Sequence, residues 1–182
     1  MYILSITVGI LMAHNGNRFA LLQRDGIVSA ALRADRAAIN YHAGRRLAAA
    51  LWDLAGNVFI AAIPQALIGL GVVPPYATAA YQGWVGGIVS VDAAHRSRFV
   101  APRATVYYFT VLLLQTVAFS LSIGGGVKCG VDTYRHNSDV GWRFSRWRIR
   151  KESLADLGLV LLASIPLFLA GSSFEFLSSW NV

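Results

Sequence analysis

Apolar residues in this chain come in long blocks, 1–13, 47–73, 76–91, 104–127 and 157–177, and the charged residues between them are mostly basic. A helix rises about 1.5 Å per residue and the hydrocarbon core of a bilayer is roughly 30 Å thick, so about 20 apolar residues cross it. Ala104–Val127 meets that length on its own. The blocks also contain Gly, Pro, Asn and Gln, which membrane helices tolerate where neighbouring helices satisfy the freed backbone groups. The pattern predicts an all-α fold, a multi-pass transmembrane helical bundle of about five spans, forming a single membrane domain over residues 1–182. Within it, 1–13 is a short apolar N-terminal helix, 19–46 an amphipathic polar helix, 47–127 three membrane segments, 128–152 a basic aromatic loop and 154–178 the last span.

The first block covers only about 20 Å as a helix, which makes it a short span, an interfacial helix or the remnant of a longer start. It has no charged leader and no small-residue cleavage site, against a removed signal peptide. In 19–46, Val28, Leu32 and Ile39 fall near one helical face while Arg24, Arg33 and Arg36 do not, the pattern of a helix lying on the membrane or on the bundle. Pro74-Pro75 predicts a tight uncharged turn. Ala79, Gly83 and Gly87 stand at four-residue spacing, which lets two helix backbones approach closely, and Gly125, Gly126 and Gly130 offer a second such face.

Composition agrees with the membrane reading: the chain is 55% hydrophobic and 14% charged, with a mean hydropathy of +0.51, more apolar surface than a soluble domain of this size can hide. The net charge is +7, and all sixteen Lys and Arg lie in 18–46 (six), 96–103 (three) and 128–151 (seven). Charge clustered beside apolar spans fits loop orientation and lipid headgroups, with no nucleic acid among the partners expected. If every block crosses once, nine positive residues face seven across the membrane and orientation is barely specified. If the 104–130 segment instead turns back at its glycines, all sixteen share one side. The densest basic aromatic stretch, Trp142, Arg143, Arg146, Trp147, Arg148, Arg150 and Lys151, is expected to contact anionic lipids or an acidic partner. Trp180 suits the interface.

Candidate chemistry is sparse. Asp53 and Asn57 sit one turn apart inside a span, where an ionisable group is costly and is retained for transport or for pairing. Asp53 is also less than two turns from Arg45 and Arg46, near enough for hydration or pairing at the interface. Gln65 and Gln115 are expected to hydrogen-bond across helices, and Gln82 is a further intramembrane amide. The Gly124–Gly130 run lacks Walker A spacing and follows an apolar span, not a strand. Cys129 is the single cysteine, and the four His are scattered, so neither a disulfide nor a metal site is expected. No nucleophile with a nearby base emerges, so no catalytic residue and no cofactor is expected.

In order along the chain, several motifs resemble the stage II sporulation protein M family of integral membrane proteins. Asn57-Val-Phe-Ile-Ala-Ala is similar to its Asn-led second span, Gly69-Leu-Gly-Val-Val to the glycine-rich end that follows, and Tyr81-Gln-Gly-Trp-Val-Gly-Gly to its third span, with Gln82 in place of Asn. Gln115-Thr-Val-Ala with Gly125, Gly126 and Gly130 resembles the fourth, and Phe174-Glu175-Phe-Leu-Ser the Glu-containing end of the last. The family's His-Gly-x-x-Glu motif is replaced here by Val111, Leu112 and Gln115. The resemblance implies a five-span, non-enzymatic scaffold or accessory subunit in a bacterial inner membrane, packing on other integral membrane proteins through glycine faces and basic loops. The alternative from the residues is a small-solute channel or transporter using Asp53, Asn57 and Gln115.

Overall fold

The computed structural model describes residues 1–139 and 149–179. They form eight α-helices and no strand: α1 (Tyr2–His14), α2 (Arg18–Ala34), α3 (Arg36–His42), α4 (Arg46–Ala55), α5 (Ile63–Gly69), α6 (Pro74–Ile88), α7 (Pro102–Asp139) and α8 (Lys151–Leu177). A π-helical stretch, Gly56–Ala62, joins α4 to α5, so that Arg46–Gly69 is one rod. Its cause lies in Pro64, which has no N–H to offer the carbonyl four residues back and whose ring crowds it; a wider turn upstream relieves the clash.

Three helices are long and apolar enough to cross a bilayer: Arg46–Gly69, Pro102–Asn137 and Lys151–Leu177. In their most apolar windows only 17%, 17% and 22% of the residues are buried within the protein. The first and third apolar blocks fold instead as α1 and α6, of 13 and 15 residues, about 20 and 22 Å long. The described spans therefore number three where the hydropathy pattern predicts about five.

The spans pack by close backbone approach. Ala66 meets Gly126 and Leu70 meets Gly130, so α5 and α7 run parallel. Gly125, on another side of α7, touches Leu157 and Val160 of α8. Together with Ser122 on Ser164 and Gln115 on Glu175, this sets α8 antiparallel to α7. Phe168 of α8 is buried against Val58, Ala62 and Ala118 at the centre of the three spans. Beside them α1 and α6 form a parallel pair, Gly83 against Tyr2 and Ser5, Gly87 against Ile6 and Gly9.

One alternative is decided and two expectations are corrected here. α7 is unbroken through Gly124–Gly126, so the segment does not turn back; 18–46 and 96–103 lie at one end of the bundle and Lys128 at the other. An α-helix holds glycine when the small side chain is needed for packing, and Gly126 is that case. The single amphipathic helix over 19–46 is two helices, because Asp35 ends α2 and its Oδ1 accepts from the Ala37 N–H to start α3. Nor do the two faces divide as their periodicity predicts: Arg24 is buried with Nη1 on Asp25, while Leu32 and Ile39 are exposed.

Candidate functional site

Where the spans end on the side of α2 and α3, polar side chains from separate elements converge. Asp53 sits in α4, and its Oδ2 accepts from Asn57 Nδ2 one turn on, at 2.8 Å, and from Ser172 Oγ of α8, at 2.6 Å. The carboxylate thus turns into the bundle and not toward Arg45 or Arg46. One turn further along α8, Glu175 Oε2 accepts from Gln115 Nε2 of α7, at 3.1 Å. Tyr107 donates its hydroxyl to the Glu175 backbone carbonyl at 2.8 Å and Tyr108 to that of Gly86 at 2.6 Å, which fixes both rings.

Asp53, Gln115, Glu175, Tyr107 and Tyr108 line a cleft of about 490 Å³. Asp35, Asp53 and Glu175 supply three carboxylates against the single guanidinium of Arg98, and Tyr41, Tyr107, Tyr108 and Phe176 supply aromatic rings. α2 and α3 form one wall, through Val28, Leu32, Asp35 and Ala38. The volume falls in the range of small-molecule sites, roughly 300–1,000 Å³. An acidic cleft with aromatic walls suits a cation, drawn both by charge and by the negative ring faces. Among the described residues no group of His, Cys, Asp and Glu could hold a metal ion.

Outside the spans, a second polar cluster ties α2 to the loop after α6. Arg24 and His95 both hydrogen-bond Asp25, each at 2.9 Å, and hold its carboxyl below the usual carboxylate value. The Arg96 backbone N–H, with its guanidinium, does the same for Asp92.

Sequence reasoning singled out Asp53, Asn57, Gln115 and Glu175, and the structure brings all four into one region. It missed Asp35, Arg98, Tyr107, Tyr108 and Ser172; the one local hint was that Ser172 and Glu175, three apart, share a helical face. Gln82 and Gln65 are elsewhere, each with a buried Oε1 that has no partner among the described residues, so Gln65 does not bridge helices as expected. Ala79 lines a small cavity between α1, α6 and α7. Gly83, Gly87, Gly125, Gly126 and Gly130 are all occupied by contacts within the chain. Lys151 is exposed and Arg150 pairs with Glu152; Trp142, Arg143, Arg146, Trp147, Arg148 and Trp180 lie outside the described residues.

Fold and cleft together define an all-α protein with three helices fit to cross a membrane and a carboxylate-lined cleft at one end of them. Comparison with family models, curated proteins and solved structures returns no match.

Proposed function

We propose that this chain is an integral membrane binding and transport protein for small ammonium-bearing molecules, taken up in the cleft between α4, α7 and α8. The observation that supports it is the grouping of Asp35, Asp53 and Glu175 around one aromatic-walled space. Carboxylates at this depth are costly to hold in a membrane, and a cationic occupant offsets that cost. Asp53 and Glu175 hold the charge, Gln115 orients Glu175, Ser172 and Asn57 orient Asp53, and the Tyr107 and Tyr108 rings face the cation. The scaffold reading drew on glycine faces and basic loops, and the glycine faces are packed against α1, α5 and α8 of the same chain. The resemblance to the sporulation family supports a bacterial inner membrane as its place.

The test is titration of the purified chain in detergent with ethylammonium, followed by calorimetry and by uptake into proteoliposomes. Wild type binds, and Glu175→Gln lowers affinity about tenfold, the loss of one charge-assisted contact. Folded wild type that binds no ammonium ion overturns the reading.

A further inference from the structure

Asp35 and Asp53 face two spaces. Besides the cleft, they wall a lateral groove of about 710 Å³ that passes Trp52, Asn57, Phe59 and Ile60 on the outer side of α4 and the π-helical stretch. The groove is open because that stretch is wide and because Gly56 places nothing in it: no atom lies within 4 Å of where its Cβ would stand. π-Helical insertions of this kind recur at functional sites.

The chemistry of the groove is ordered along the axis of α4 and the π-helical stretch. At its outer end the Arg36 guanidinium lies 4.4 Å over the Trp52 ring and carries no ion pair among the described residues. Stacked on an aromatic face, a guanidinium keeps its N–H edge for a phosphate. Asp35, next in sequence to Arg36, and Asp53, next to Trp52, line the same groove. Phe59 and Ile60, 68% and 79% exposed, follow about 10 Å deeper along the helix. A cation and anions at one level, with apolar side chains below, match a zwitterionic headgroup on an acyl chain.

We propose that the groove binds an aminophospholipid of the phosphatidylethanolamine type, its phosphate on Arg36, its ammonium on Asp35 and Asp53, and an acyl chain along Phe59 and Ile60. The proposal rests on the cleft reading for the preference of Asp53 for an ammonium, and it makes the bilayer itself the source of the substrate.

Native mass spectrometry of the full chain, released from detergent micelles holding equal phosphatidylethanolamine and phosphatidylglycerol, tests it. Wild type retains the ethanolamine lipid about tenfold over the glycerol lipid, which lacks the ammonium. Arg36→Gln with Trp52→Leu lowers retention of both lipids about tenfold, since both carry the phosphate, and leaves ethylammonium binding in the cleft intact, since neither residue lines it. Arg36→Lys keeps part of that retention and controls for folding. Glu175→Gln weakens ethylammonium and spares the lipid. Equal retention of both lipids by wild type, or lipid retention unchanged by Arg36→Gln with Trp52→Leu, overturns the groove proposal while the cleft stands. Selective lipid retention by a wild type that binds no ethylammonium overturns the cleft and leaves the groove.

Discussion

Gly124, Gly125 and Gly126 are consecutive in α7 and meet three different surroundings. A Cβ on Gly124 would meet nothing within 4 Å, one on Gly125 would touch Leu157 and Val160 side chains at 3.1–3.3 Å, and one on Gly126 would run into the Ala66 backbone carbonyl. Side chains can yield by a few tenths of an ångström; a packed helix backbone cannot. Gly126→Ala is therefore expected to destabilise the fold by about 1–3 kcal/mol, the range of overpacked cores. Gly124→Ala should be neutral or stabilising by up to about 1 kcal/mol, since alanine is the better helix former. Thermal melts of both variants in one detergent make the comparison, and equal losses would remove the Gly126–Ala66 contact from the account.

At the scale of the element, the continuity of α7 decides the topology. A helix of 38 residues is about 57 Å long, nearly twice the hydrocarbon core, so its two ends emerge on opposite sides with Lys128 onward beyond the apolar region. Lys128 is satisfied there by Asp132 at 3.1 Å and Asp156 at 2.8 Å, which also ties α7 to the start of α8. In a Cys129→Ala background, single cysteines at Ala94 and at His136 should react with a membrane-impermeant maleimide from opposite sides. Labelling of both from the same side would restore the turn-back at the glycines. With nine positive residues on one side and seven on the other, loop charge gives little direction to insertion, so orientation must draw on the order in which the spans enter the bilayer.

For the whole molecule, the end that carries the cleft is held together outside the spans. α2 packs through Ala20 on Ile88 and Val91, and Asp25 links it to His95 in the following loop. Arg24 and His95 hold the Asp25 carboxyl below its ordinary value of 3.8, so the link contributes fully above that value and is lost as pH falls through the lower native value. Hydrogen exchange over residues 20–34 should accordingly be faster at about pH 2.5 than at about pH 5 once corrected for intrinsic rates, and Asp25→Asn should flatten the difference. An unchanged pH response in Asp25→Asn would assign the effect to another carboxylate.

Five apolar blocks, the basic segments between most of them and the helical class were legible in the sequence, because membrane insertion is governed by the transfer of whole segments, a property that sums along the chain; the turn expected at Pro74-Pro75 falls instead at 70–73, and the two prolines open α6. Asp53, Asn57, Gln115 and Glu175 were legible for the same reason: a polar group in an apolar run stands out wherever its partners are. Whether Gly124–Gly126 bends a helix or packs one depended on neighbours that the sequence does not place adjacent. So did the cleft. Asp35, Arg98 and Tyr107 belong to ordinary caps and loop edges when read in line, and become one site only when α3, the turn before α7 and the end of α8 meet. Local pattern determines what each segment can be, while the choice among close backbone contacts, each effective over a few ångströms, is made only by the packed structure.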